Sequence, residues 1–339
     1  MNNPFKILCI DGGGIKGIYS AQVMAEFEDA FNTTISEHFD LVCGTSTGGI
    51  IALGVAGGIP MKKVVDFYIE HGPTIFAQRW KCGSIGDKIM TLKQALFTSK
   101  YSQKSLRKAL QSVFGSKKIG ESQNLLCIPA FNITNSSPRI FKKNYNLLNQ
   151  DDEKTFVEVA LATSAAPTYF PIQEIDNVQY IDGGVYANNP VMVGLTEAVY
   201  NGYWIKPKDQ RGKDDYDGVQ ILSISSCISP SGDYAKRKRR SFWKWIPTLF
   251  DTYGDGQSKS NDYFIKQIKP HLDFEINITR VENQPLSSEQ AKNISLDQAG
   301  KHSLKILQGV GAITGNNAKT DPQVQYFFKE KKTVDISKL

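Results

Sequence analysis

Short apolar runs alternate with stretches whose apolar positions recur every three or four residues, from the start of the chain to beyond residue 220. The first run, KILCI at 6–10, reads as a strand, and helical spacing follows from residue 17 to about residue 31. A second strand over 39–42 leads into a small-residue helix over 47–56 and a longer helix over 61–69. This alternation predicts βαβ units, and so an α/β fold with a mostly parallel sheet covered by helices. The pattern then predicts a helix over 102–114 ended by Gly115, strands over 125–133 and 139–141, a helix over 154–163, a strand over 179–181, a helix over 191–200 and a strand over 218–225. Beyond these, 243–253 and 258–268 read as two helices, 273–279 alternates like an edge strand, and 287–308 carries apolar residues at helical spacing. The charged stretch KPKDQRGKDDYD at 206–217 reads as a surface loop too short to link domains. Core elements continue past it without a repeat, so one domain over residues 1–339 is expected.

Composition narrows this picture. The 339 residues are 40% hydrophobic and 22% charged, a globular mix, and no run of about 18 apolar residues is present to span a bilayer. The chain start lacks the charged, apolar and small-residue regions of a secretory signal, so a soluble cytoplasmic protein is expected. A net charge of +6 is too small for a chain of this length to argue for a nucleic-acid polymer as partner. The five cysteines, Cys9, Cys43, Cys82, Cys127 and Cys227, form no CxxC pair, and three lie in apolar runs as small buried residues would. With four dispersed histidines, His38, His71, His271 and His302, they argue against a metal site.

Three glycine-bearing motifs carry the chemistry. GTSTG at 44–48 stands between the second strand and a helix. There it reads as a nucleophile elbow: the glycines permit a sharp turn that lifts the Ser46 hydroxyl off the sheet at a helix N-terminus. A serine at that position is also an ordinary N-cap.

DGGGIKG at 11–17 follows the first strand directly. Read literally, Gly12, Gly14 and Gly17 make a dinucleotide-binding fingerprint. Read beside Ser46, Gly12, Gly13 and Gly14 make an oxyanion hole of backbone amides. A purely structural turn is the third reading. The nucleotide reading needs an acid at the end of the second strand; Asp40 lies at its start, and the elbow occupies its end.

DGGVYANNP at 182–190 follows a strand and precedes a helix that Pro190 can open. An acid there can share a crevice with Ser46. None of the four histidines has a context that suits a serine base, so a Ser46–Asp182 dyad fits better than a triad.

These three motifs, with the run ATSAAPTYFP at 162–171, resemble in order and spacing the four blocks of patatin-like phospholipases, across residues 6–200. The resemblance implies a three-layer α/β/α fold, a Ser46 nucleophile, an Asp182 base and an oxyanion hole from Gly12, Gly13 and Gly14. It also implies release of fatty acids from membrane phospholipids without metal or cofactor. Lys16 stands where most such proteins carry arginine; it keeps the charge but not the planar fork. The segments 6–24 and 44–60 are most similar to bacterial members, some of which are effectors switched on by a cyclic dinucleotide in anti-phage defence. A cyclic dinucleotide activator is therefore an expected partner, and self-association into a homo-oligomer is left open. The reading from another class is a nucleotide-binding regulatory module without hydrolase activity.

One further segment bears on the membrane. KRKRR at 236–240 runs directly into FWKWI at 242–246. Basic residues beside two tryptophans suit an anionic bilayer surface, so this segment reads either as a docking element at the inner face of the membrane or as a solvated loop before a core helix.

Overall fold

The computed structural model describes residues 1, 3–77, 99–145, 150–201, 204–213, 215–228 and 242–336, with the side chains of 201 and 242–251 excepted. Eight strands share one sheet: β1 (Pro4–Ile10), β2 (Leu41–Gly44), β3 (Leu125–Asn132), β4 (Ser137–Phe141), β5 (Gln173–Ile175), β6 (Val178–Asp182), β7 (Gly218–Ile224) and β8 (Glu275–Val281). Their order is β5-β6-β3-β2-β1-β7-β8, with β4 also on β3. The pairs among β3, β2, β1, β7 and β8 are parallel, and those of β4, β5 and β6 are antiparallel.

The continuous apolar run of β1 follows from burial on both faces. Leu8 and Ile10 enter one core, and Phe5, Ile7 and Cys9 enter the other, all fully buried. The first core is closed by α1 (Gly17–Phe31), α2 (Thr47–Ala56), α3 (Met61–Ile75), α4 (Gln103–Phe114) and α5 (Phe156–Thr163). On the other face, beyond the short α6 (Gly184–Ala187), lie α7 (Val191–Thr196) and α8 (Phe242–Ile268). Later elements, α9 (Ser288–Lys292), α10 (Lys301–Ala318) and α11 (Pro322–Phe327), return to the first face, where α10 packs on α1. The result is the α/β/α layering that the sequence implied. Cys9, Cys43 and Cys127 lie side by side across β1, β2 and β3 as buried free thiols, and Cys227 is likewise buried; Cys82 lies outside the described residues.

Register sets the site. Strand β3 outruns β2, pairing with it only through 125–127 and turning its remaining length to β4 and β6. Asp182 opposes Ala130, three residues past the Cys43 and Cys127 pair, and Ser46 is three residues past Cys43. Ser46 and Asp182 therefore arrive at the same height.

Several elements differ from the sequence reading. Strand β2 begins at Leu41, because Asp40 is buried as an acceptor for the Lys6, Thr333 and Val334 amides. Helix α3 runs on through Pro73 to Ile75, and Phe76 closes it. Strand β5 is new: Asp176 and Asn177, both at positive φ, make the two-residue turn that pairs it with β6. The stretch 191–200 is α7 followed by a π-helical turn over Glu197–Asn201. Residues 243–253 and 258–268 belong to a single helix, because Gly254 serves close approach rather than a break; a Cβ there would stand 3.0 Å from Asn188 Nδ2. The stretch 287–308 is broken between α9 and α10, and the loop between them brings the Leu296 carbonyl to the Ile15 amide at 2.8 Å.

Candidate active site

The chain leaves β2 at Gly44 and enters α2 at Thr47, so one turn must reverse it over Thr45 and Ser46. Ser46 takes φ 56° and ψ −124°, a conformation unfavourable for a side-chain-bearing residue. It persists because the surroundings fix it. The Ser46 amide donates to Thr163 Oγ1 at 3.0 Å, and that hydroxyl donates to the Pro129 carbonyl at 2.5 Å. Thr45 Oγ1 donates to the Ala187 carbonyl at 2.6 Å. A strained serine at the positive end of α2 is the geometry of a nucleophile elbow.

Asp182 is the last residue of β6 and is fully buried. Its Oδ2 accepts the Ser46 hydroxyl at 2.6 Å, and its Oδ1 accepts the Gly184 amide at 2.6 Å. Burial drives its pKa up and the two hydrogen bonds pull it back, leaving it at about 7, far above the usual carboxylate range. A carboxylate so placed can take a hydroxyl proton near neutral pH. The Asp182 amide itself donates to the Ala165 carbonyl at 3.0 Å. Residues 162–171 thus brace both Ser46 and Asp182 through Thr163 and Ala165, a role their sequence did not disclose.

The glycine loop lies against the same point. A Cβ on Gly12 would stand 2.4 Å from Asn188 Oδ1 and 3.3 Å from Ser46 Cβ, so only glycine fits. The Gly12 amide donates to the Asn188 carbonyl at 3.0 Å. Just ahead of the loop, Asp11 accepts both arms of Arg280 from β8, at 3.0 and 2.6 Å. Burial opposes the Arg280 charge, but Asp11 and Glu282 outweigh it and raise its pKa further. Arg280 also reaches Ser223 of β7 and Ser258 of α8, and Asn189 donates to the same Ser258 hydroxyl at 3.2 Å. One half-buried guanidinium therefore ties the glycine loop to α8 and to the turn after Asp182.

Ser46, Asp182, Gly12, Gly13, Gly14 and Lys16 all line one cleft. The rest is walled largely by apolar side chains, among them Ile50, Phe67, Ile75, Phe76, Leu106 and Phe170. An apolar cleft that a strained serine lines suits an ester with a long hydrocarbon chain. None of the four histidines lines it. No group of three or more metal-ligating side chains occurs among the described residues. The nucleotide reading lacks its ribose anchor, since Asp40 is fully buried and committed to backbone amides.

Residues 8–195 match the family model for patatin-like phospholipase. The chain belongs to the patatin-like phospholipase family. It is accordingly an ester hydrolase, and the nucleotide-binding alternative is not favoured. Among similar proteins, a cGAMP-activated phospholipase of Pseudomonas aeruginosa is 30% identical over 95% of this chain and 91% of its own length. A cGAMP-activated phospholipase of Vibrio cholerae is 28% identical over 97% and 96%. Patatin-like protein 2 of Arabidopsis thaliana is 27% identical over 91% and 82%. The blocks at 11–17, 44–48, 162–171 and 182–190, quoted from the sequence alone, all fall within the matched patatin-like region.

Proposed function

We propose that this patatin-like phospholipase releases fatty acids from membrane phospholipids through a Ser46–Asp182 dyad, and that a cyclic dinucleotide switches it on. The observation that carries the reading is the 2.6 Å hydrogen bond from Ser46 Oγ to Asp182 Oδ2 in a cleft walled largely by apolar side chains.

Ser46 Oγ attacks the ester carbonyl carbon while its proton passes to Asp182 Oδ2. The negative charge that forms on the carbonyl oxygen is held by the Gly13 and Gly14 amides; the Gly12 amide, bonded to the Asn188 carbonyl, fixes the loop. Collapse of the intermediate breaks the bond to the lysolipid alcohol, which takes the proton from Asp182 and leaves an acyl-Ser46. Water then attacks the acyl carbon, gives a proton to Asp182, and the fatty acid departs as Ser46 recovers its hydrogen. The cycle needs no group beyond these residues and water.

Because the base must be ionised, kcat/KM for a soluble ester should fall about tenfold per pH unit below about 7 and level off above it. A stopped-assay pH profile checks this; an acid limb centred near 4 would mean that burial does not raise the Asp182 carboxyl in the working enzyme.

Regulation is read from the relatives. Proteins similar over nearly the whole chain are cGAMP-activated phospholipases, and no helix among the described residues is long and apolar enough to cross a membrane. We read this protein as a cytoplasmic enzyme that acts at the inner membrane surface in anti-phage defence. Fatty acid release from phospholipid vesicles should rise at least tenfold with cGAMP or another member of a cyclic dinucleotide panel. Equal rates with and without every one would sink the regulatory claim while leaving the hydrolase intact.

A further inference from the structure

The segment at 236–240 that the sequence singled out for membrane contact lies outside the described residues, as do the side chains of 242–246. The helix that continues from it presents a surface of its own. Ten large hydrophobic side chains are exposed among the described residues, and four of them, Tyr253, Tyr263, Phe264 and Ile268, are on α8. Tyr263 and Phe264 are 61% and 53% exposed. Tyr200, 80% exposed, borders with Ile268 an apolar groove of about 740 Å³ beside the same helix.

Charge on this face has one sign. Over 252–272 the exposed charged residues are Lys259, Lys266 and Lys269. The two acids of that stretch point elsewhere: Asp255 lines the catalytic cleft, and Asp262 is half-buried near Arg280 and Glu282. Tyr253 directly precedes Gly254 and Asp255, which wall the cleft, while Gln257, Ser258 and Asn261 on the inner side bind Asn189. The helix therefore joins the active site on one side to an aromatic and cationic face on the other.

We infer that the outer face of α8 from Tyr253 to Ile268, with Lys269 directly after it, is the surface by which the enzyme docks on an anionic phospholipid bilayer. Aromatic rings settle at headgroup depth and lysines meet the anionic surface, so lipid suits this face better than a protein partner. Docking there sets the bilayer beside the helix that walls the cleft, and the inference rests on the phospholipid reading above.

The test uses the full chain and vesicles of phosphatidylglycerol with phosphatidylethanolamine in equal amounts, against vesicles of phosphatidylcholine alone. The wild type should sediment with the anionic vesicles far more than with the neutral ones. Lys259→Gln, Lys266→Gln and Lys269→Gln together should weaken that binding about a hundredfold, and Tyr263→Ser with Phe264→Ser should also weaken it, with hydrolysis of a soluble short-chain ester unchanged in both. Vesicle binding unchanged in both variants, or absent in the wild type, overturns the inference. So does sedimentation analysis in which Tyr263→Ser with Phe264→Ser dissolves a dimer and leaves vesicle binding intact, since the face would then belong to a second copy. Failure of the wild type to hydrolyse the soluble ester in the presence of every member of the cyclic dinucleotide panel would instead count against the catalytic reading, whatever the vesicles show.

Discussion

Asp182→Asn should lower kcat about 10⁴-fold while leaving the fold in place and, above neutral pH, more stable than before. The amide keeps the shape of the carboxyl and can still accept from Gly184, but it cannot take the Ser46 proton in acylation or the water proton in deacylation. Both half-reactions lose the same group. The stability gain follows from linkage. The folded-state pKa of Asp182, about 7, stands above its unfolded value, so its contribution is fullest in acid and is lost as pH rises through 7. Asparagine has no such loss. The melting temperature of the variant should therefore draw ahead of the wild type between about pH 4 and about pH 7 and hold its lead above that, by an amount that corresponds to a few kcal/mol. Ser46→Ala should be as inactive, and it supplies the control for fatty acid release. An Asp182→Asn enzyme with most of its activity would show that another group serves as base.

Arg280→Met should cost the fold about 3–5 kcal/mol near neutral pH, because it leaves Asp11 buried without a counter-charge. Burial already pushes the Asp11 carboxyl up against the pull of Arg280, so without the arginine Asp11 takes up a proton more readily and the loss shrinks in acid. Urea denaturation at pH 8 and pH 5.5 separates these cases. Adding Asp11→Asn to Arg280→Met should restore most of the lost stability, since no unpaired charge is then buried. Activity should fall in the single variant as well, because Asp11 is the residue from which the glycine loop springs. Equal stability of Arg280→Met and wild type would mean that the pair is not a structural clamp.

The sequence made the site's frame legible for a physical reason. Sharp strand-to-helix turns demand glycine, and a nucleophile or base at such a turn leaves a local pattern around Ser46, Asp182 and Gly12. Elements closed by distant contacts leave none. Arg280 meets Asp11 across most of the chain, and nothing near either residue marks the other. Thr163, whose hydroxyl holds the Ser46 amide, sat in a recognised block without a visible role. The sequence pattern splits helix α8 in two around residues 254–257, whereas Gly254 is needed where the single helix touches Asn188. The hairpin of β5 and β6 did carry a signal, Asp176 followed by Asn177, that a search for two-residue turns finds.

Hydrolysis through the dyad requires Ser46 to be an activated nucleophile. Treating the intact protein, with cGAMP present, with a long-chain fluorophosphonate and locating the adduct by peptide mass spectrometry tests it most directly. The account requires one adduct per chain, on Ser46, formed more slowly as pH falls below about 7 and lost in Ser46→Ala and Asp182→Asn. A lipid-hydrolysing protein that carries the adduct on another residue, or that labels equally well without Asp182, would contradict it.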